Sequence, residues 1–444
     1  MKSGFDKFDG YVLPKANLGA KAALTLVKQF KKAIGKEGTL RDAFLKALGS
    51  HGKEAARKRA HQYLKSRSAR MAGALQMNID RLLADRLSLE ECLALAENLV
   101  LHKPINEYVR VRFKMKSSGG KRPIFAFGPQ HKTAQKMVRR LLKPNVMPRE
   151  WQFTLKGVPA AISYVRTKPC ADTAWACTLD IKNFYGSFVD EEVRALLSFL
   201  PSKVVGNVVL TNGMLLTDMA GVALYGEPLQ DARPGVPQGS AVSPLVGALA
   251  VSKLDLKLPP EVCFANYADD FLVIAPSEDQ LEAATLAFAS AVAELPGGTF
   301  TLIRDQFAPL STGIVFLSHQ LRLEDGKWVV APSDEAISKL LADLEELAAK
   351  AEAAKKKYLK LTSHSNRIKT LSAIAKVKAH CDGWLAAFAE CDGFTLTAIK
   401  DDVSGRVGGL LKGTGIAFDE LIGPPEEFEK FAGRKRWKLS SDYP

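Results

Sequence analysis

No apolar run in this chain approaches the roughly 20 residues that a membrane-spanning helix needs. The opening MKSGFDKFDG lacks the apolar stretch of a secretory leader. Both absences point to a cytoplasmic protein with no membrane partner. Cysteine is scarce: six in 444 residues (Cys92, Cys170, Cys177, Cys263, Cys381 and Cys391), with no CxxC pair. That excludes a disulfide framework, argues against structural zinc and suits a reducing compartment. Internal repeats are missing too. Acidic residues fall short of basic ones, 48 against 62, giving a net charge of +14 and a pI near 9.3. Such a balance asks for a polyanionic partner. Residues 1–70 carry most of the excess, 17 Lys and Arg against 5 Asp and Glu.

What is present is a soluble composition, 47% hydrophobic and 25% charged, with length for two or three domains. Residues 1–100 read as helical. Apolar residues recur at three- and four-residue spacing over 20–34 and 40–48, punctuated by Gly35 and Gly49, and again over 89–102. The run 57–70 is the most basic and suits a phosphate backbone, although a solvated helical face has the same composition. At 106 the period changes to two. YVRVRFKMK and KRPIFAF flank a Ser-Ser-Gly-Gly turn and make a basic hairpin with Arg110, Arg112, Lys114, Lys116, Lys121 and Arg122. Helices are expected over 131–142, 190–200, 245–256, 278–294, 333–360 and 366–389. Strands are expected over 300–303 and 313–317, with a hairpin over 320–330. Ser240 or Ser243 would cap the 245–256 helix.

Two stretches concentrate carboxylates. WACTLDI (175–181) is an apolar strand that delivers Asp180 near its end. FANYADDFLVIA (264–275) reads as a hairpin with Asp269 and Asp270 at its tip. An Asp-Asp turn in an ordinary hairpin explains the second stretch equally well, because Asp favours turns. If the two strands are neighbours, three carboxylates converge. Mg²⁺ takes hard oxygen ligands of this kind and shares them with substrate phosphates. Between the stretches, RPGVPQGSAVSP (233–244) forms a constrained loop that lets backbone approach a ligand closely.

LDIKNFYGSF, GVPQGSAVSP and YADD, in this order and spacing, resemble the palm motifs of reverse transcriptases. The resemblance extends upstream to GGKRPI and downstream to VFLSHQL, which is similar to the primer-grip hairpin. It implies an α+β right-hand polymerase: fingers, an antiparallel-sheet palm and a helical thumb, preceded by a basic helical region. The expected divisions are 1–100, 101–330 for fingers and palm, 331–405 for the thumb, and a basic irregular tail over 406–444. The implied activity is RNA-directed DNA synthesis from dNTPs with two Mg²⁺ ions, Mn²⁺ being an alternative. Asp180, Asp269 and Asp270 would be catalytic and bind metal, with the carbonyl of Ile181 as a further ligand. Tyr185 would be the steric gate against a 2′-hydroxyl. Lys116, Lys121, Arg122, Gln238 and Gly239 would hold the nucleotide. Tyr267, Phe316, Leu317 and Ser318 would grip the primer.

The chain departs from the pattern at two places: Arg304 stands near the usual general-acid lysine, and Ser318 replaces a glycine. An arginine is a poor proton donor. Retron signatures and the maturase and endonuclease regions of intron proteins are absent from the sequence. By exclusion, what remains resembles free-standing bacterial reverse transcriptases of antiphage defence. The expected partners are a dedicated non-coding RNA template and a DNA product, with oligomeric assembly left open. Untemplated or protein-primed synthesis, and an inactive RNA-binding scaffold, are the alternatives.

Overall fold

The computed structural model describes residues 20–79, 87–115, 121–168, 170, 171, 173–392, 397, 405 and 408–415. Helix α1 (Ala20–Ser50) runs unbroken through Gly35, where the sequence suggests a stop. An interior glycine costs a helix only about 1 kcal/mol. Burial of Leu26, Phe30, Ala33, Phe44 and Ala47 along one face outweighs it. The basic run is split instead: α2 (Gly52–Lys65) ends at Ser66, whose extended backbone starts α3 (Arg67–Ile79). Helix α4 (Leu89–Asn98) opens on a reciprocal cap. The Ser88 hydroxyl accepts from the Glu91 amide, and the Glu91 carboxylate accepts from the Ser88 amide.

Strands β1 (Tyr108–Met115) and β2 (Lys121–Ala126) pair antiparallel as the alternation requires. Helix α5 (Pro129–Leu142) has no capping side chain of its own at Gly128. The Glu107 carboxylate supplies one from a distance, accepting from the amides of Gln130 (3.0 Å) and His131 (2.9 Å). After α6 (Val158–Arg166) comes β3 (Trp175–Ile181), over the expected residues. Helix α7 (Asp190–Leu196) ends short of 200, and turns carry the chain on to Pro201. A short α8 (Ser202–Val204) leads to β4 (Leu215–Thr217), which adds to β1 in parallel, and to α9 (Gly226–Ala232).

Helix α10 (Ser243–Val251) begins before and ends before the expected range. Neither expected serine caps it: the N-cap is Val242. Ser240 Oγ instead accepts from the Val242 amide, and Ser243 Oγ donates to the Pro237 carbonyl, so both fix the loop. Strands β5 (Cys263–Tyr267) and β6 (Asp270–Ala275) precede α11 (Glu278–Ala293). The next strand is later and longer than expected: β7 (Leu302–Pro309) pairs along the whole of β3, while Phe300 turns into the core. β8 (Ile314–Phe316), β9 (His319–Glu324) and β10 (Lys327–Pro332) form a separate antiparallel sheet. Helices α12 (Asp334–Lys360) and α13 (His364–Ala387) pack on each other through Leu340, Leu344, Leu371 and Ile374.

The central sheet has the order β5-β6-β3-β7, antiparallel throughout. Its two middle strands, β6 and β3, are buried on both faces. Cys177, Leu179, Phe271 and Val273 face the core built with α5, α10 and α11. Ala176, Leu272 and Ile274 face the core shared with α6 and the β8–β10 sheet. The first core also takes in Phe44, Ala56, Ala60, Tyr63 and Leu64, so the N-terminal helices and the sheet share one interior.

A buried ion pair pins that junction. Glu37 on α1 meets Arg140 on α5 at 2.5 Å, with side chains 1% and 11% exposed. Tyr63 donates to the same carboxylate at 2.8 Å, and Arg140 Nε donates to Gln76 at 2.9 Å. Removing one partner strands the other charge, which costs about 3–5 kcal/mol. Glu37→Ala should therefore lower unfolding free energy by about 3 kcal/mol in denaturant titration. Glu346→Ala, which breaks an exposed pair with Lys350, should leave the unfolding free energy essentially unchanged. Equal effects would deny the junction its role.

Candidate active site

Pairing of β3 with β6 sets Asp180 directly opposite Asp270. The Ile181 amide, one residue on, donates to the carbonyl of Asp269 at 3.2 Å. The strand end and the hairpin tip are thus joined by backbone, and the three aspartates share one end of the sheet. A fourth acid, not anticipated from the sequence, lies close by. The register of β3 against β7 shifts between Thr178 and Leu179, leaving Asp305 as an extra bulged residue. Its charge acts on Asp270. Asp270 reaches solvent at the sheet end, yet burial and then the charges of Asp269, Asp180 and Asp305 push its carboxyl up to about 7, with Arg122 opposing.

The tip is not an Asp-Asp turn. Asp270 is already in strand, paired with Tyr267, so the two-residue loop is Ala268-Asp269. The residue held in left-handed backbone is Ala268 (φ 59°), not either aspartate. Alanine has no turn chemistry to offer there, and the conformation costs roughly 1–2 kcal/mol. Buried Asn266 secures it by donating to the carbonyls of Ala268 (3.0 Å) and Asp270 (3.1 Å). The Ala268 amide donates to Thr154 Oγ1 at 2.8 Å. Turn preference therefore does not account for the acidic pair.

The 233–244 loop is clamped between two elements. The Val236 amide donates to the Tyr185 carbonyl, and the Phe125 amide on β2 donates to the Gln238 carbonyl, both at 2.9 Å. Gly235 (φ 77°) and Gly239 (φ 104°) permit these approaches. A Cβ at Gly235 would lie 2.0 Å from the Tyr185 oxygen, and one at Gly239 would lie 2.6 Å from the Phe125 oxygen. Gln135 on α5, buried, accepts from the Ala241 amide at 3.3 Å. Sequence reasoning missed Phe125, Gln135, Asn266 and Thr154. Each acts through backbone contacts across 2 to 114 residues, which no local pattern encodes.

Tyr185 sits on a single turn, Phe184–Ser187, beside Phe184. Its phenol is pushed up by burial, then by Asp269 and Tyr267, with Arg122 opposing. Tyr267 is pushed up by burial and Asp270. These shifts place Tyr185, Tyr267, Arg122 and the aspartates in one electrostatic neighbourhood. Lys121 goes elsewhere, because adjacent strand residues face opposite ways. It lines an open pocket of about 480 Å³ with Phe125, Gln238, Glu227 and Asp231. Lys116 lies outside the described residues. Arg304 pairs with Glu282 and lies over the Phe307 ring. Phe316 is buried in the sheet-side core, while Leu317 packs there beside Tyr267 and Ser318 stays exposed. Leu317 and Ser318 take φ of 49° and 66° at the tip of the β8–β9 hairpin, so Ser318 adopts the backbone that glycine favours.

Among the described residues, no three His, Cys, Asp or Glu side chains stand together at metal-binding spacing. Mg²⁺ does not require such a cage, since one or two carboxylates and substrate phosphates commonly suffice. The residues fit a divalent cation: Asp180, Asp269 and Asp270 meet at one end of the sheet, and burial with the neighbouring acids pushes the Asp270 carboxyl up, with only Arg122 opposing. The loop geometry yields a stability test. Gly239→Ala should cost about 2 kcal/mol or more in denaturant unfolding, since both φ and the Phe125 oxygen oppose a Cβ. Gly383→Ala, in helix with open space around it, should be neutral or stabilising by about 0.5–1 kcal/mol. An undiminished Gly239→Ala protein would mean that the loop is not clamped.

Residues 114–296 match the reverse transcriptase (RNA-dependent DNA polymerase) family. No curated protein matches the chain. Among solved structures it is similar to apo telomerase from Candida tropicalis truncated from the C-terminal domain (14% identity, 52% of this chain, TM-score 0.36). It is also similar to telomerase from Candida albicans in complex with a TWJ fragment of telomeric RNA (13% identity, 76% of this chain, TM-score 0.36). The chain spans 56% and 64% of those two proteins. The matched residues, 114–296, take in Asp180, the 233–244 loop, Asp269 and Asp270.

Proposed function

We propose that the chain copies an RNA template into DNA, with the end of the central sheet as its catalytic floor. The observation that carries this reading is the placement of Asp180 opposite Asp270, with Asp269 tied to the same strand end. In hand terms the central sheet is the palm, β1 and β2 belong to the fingers, and α12 and α13 form the thumb. Asp180 and Asp269, with the Ile181 carbonyl, would hold two Mg²⁺ ions, and Asp270 would support them. When bound, such ions stabilise the attacking and leaving oxygens of an in-line phosphoryl displacement.

The chain's own residues do the rest. Arg122, set in the field of Asp270 and Tyr185, attracts the triphosphate from the fingers side. Lys121 approaches it from the Gln238 pocket, and Lys116 serves the same end. Gln238 and Gly239, fixed through Phe125, carry the pairing nucleotide. Tyr185 lies under the sugar and leaves no room for a 2′-hydroxyl. Tyr267, Leu317 and Ser318 hold the primer end, and Phe316 supports them from the core. The primer 3′-oxygen bonds to the α-phosphorus as pyrophosphate departs, and the primer proton leaves to solvent. Arg304, paired with Glu282, takes no part in protonating pyrophosphate.

The dedicated non-coding template and the antiphage role are inferred from the sequence alone, where residues 160–165 read AAISYV in place of a retron motif. One assay tests the catalytic reading. On an RNA template with a DNA primer, the chain should add complementary dNTPs when Mg²⁺ is supplied. Asp269→Asn should reduce incorporation by at least about a hundredfold. Tyr185→Ala should retain dNTP addition while raising NTP addition at least about tenfold relative to it. Incorporation unaffected by Asp269→Asn would remove the carboxylates from the mechanism, and unchanged sugar selectivity would remove Tyr185 from the gate.

A further inference from the structure

Outside the active site, cationic side chains gather around His102. Its ring lies 6.4 Å from that of His61 on α2. Lys65 on α2, Lys103 in the turn after α4 and Lys203 on α8 complete the group. These residues are far apart in sequence and converge only through folding. The platform is rigid. Helix α2 is anchored by buried Ala56, Ala60, Tyr63 and Leu64 on its inner side, which leaves His61 and Lys65 exposed. The turn is held at Leu101, a core residue whose carbonyl accepts from Asn207 Nδ2 at 3.1 Å. Among the described residues none of the three lysines is paired with a carboxylate, and all three are exposed. The His102 imidazole is pushed below its ordinary range, first by burial and then by Lys65, His61, Lys103 and Lys203. Asp270 answers to a different set, Asp269, Asp180, Asp305 and Arg122.

We infer that Lys65, Lys103 and Lys203, with His61 and His102 between them, form a docking surface for the phosphate backbone of folded RNA, separate from the catalytic cleft. The choice of RNA rests on the reverse transcriptase reading, which makes RNA the polyanion this chain must hold. The chemistry agrees. Lysines are flexible point charges that follow a phosphate ridge without reading bases, and half-exposed imidazoles add donors when an anion is near. The surface joins the N-terminal helices to the segment after α7, so a bound RNA would brace both against the sheet that carries the aspartates. A folded part of a template RNA could stay fixed here while its single strand is copied.

The test uses the full chain and a blunt RNA hairpin with no single-stranded tail, which cannot serve as template. The Lys65→Glu, Lys103→Glu, Lys203→Glu variant should bind the hairpin at least about tenfold more weakly near 0.15 M salt. The slope of log K against log salt should flatten by about 2–3, one phosphate contact per lysine. Extension of a short primer–template should be unchanged. The Lys→Arg triple variant should bind as the parent does, which separates charge from folding. Unchanged hairpin affinity and slope would overturn the inference. So would a parallel loss of primer extension, which would put these cations in the cleft, or a loss confined to a DNA hairpin of the same sequence. Hairpin binding needs no polymerisation, so failure of the catalytic reading would register separately.

Discussion

Two carboxylates stand face to face across β3 and β6, and the rest of the structure is arranged around that pairing. Like charges directly opposite in a sheet are destabilising. Here the strain is compounded by Asp269 at the turn and by Asp305 at a bulge. A structure that only needed a hairpin could use neutral residues at these positions. The sheet tolerates the arrangement because both its faces are deeply buried, with Phe271, Leu272 and Val273 packed on either side immediately beyond Asp270. Packing energy from two cores outweighs repulsion at one end. The repulsion becomes useful where a cation and a triphosphate meet it.

Coupling between this floor and the basic hairpin runs through backbone rather than side chains. Gly235 and Gly239 let one loop touch Tyr185 on one side and Phe125 on the other. The residue proposed to sense the sugar and the strand carrying Arg122 are therefore held in register by backbone hydrogen bonds that these two glycines permit. The N-terminal helices extend the same logic. Their contact with the sheet core, locked by Glu37, Arg140 and Tyr63, ties the most basic part of the chain to the catalytic end through a buried joint.

The elements were legible in the sequence where period and punctuation agree. β3 and the β1–β2 hairpin follow directly from an apolar run and from alternation on either side of a glycine turn signal, and α12 fills the helical stretch expected over 333–360. Errors arose where tertiary packing overruled a local signal. α1 ignores Gly35 because its apolar face is buried, and β7 is extended by the open edge of β3. The aspartates could be nominated from their motifs, but their convergence depends on which strands pair, and a sequence states no pairing. Lys121 and Arg122 show the limit sharply: they are neighbours in the chain, yet Lys121 lines the Gln238 pocket while the Arg122 charge acts on Asp270 and Tyr185. Asp305 was invisible because a bulge, not a motif, brings it in.

The most direct measurement is sequencing of the nucleic acid that co-purifies with the protein from its native host, beside an Asp269→Ala, Asp270→Ala control. The account predicts an abundant RNA together with DNA complementary to it, the DNA being lost in the control. DNA matching no bound RNA, or DNA that persists when both aspartates are removed, would contradict it.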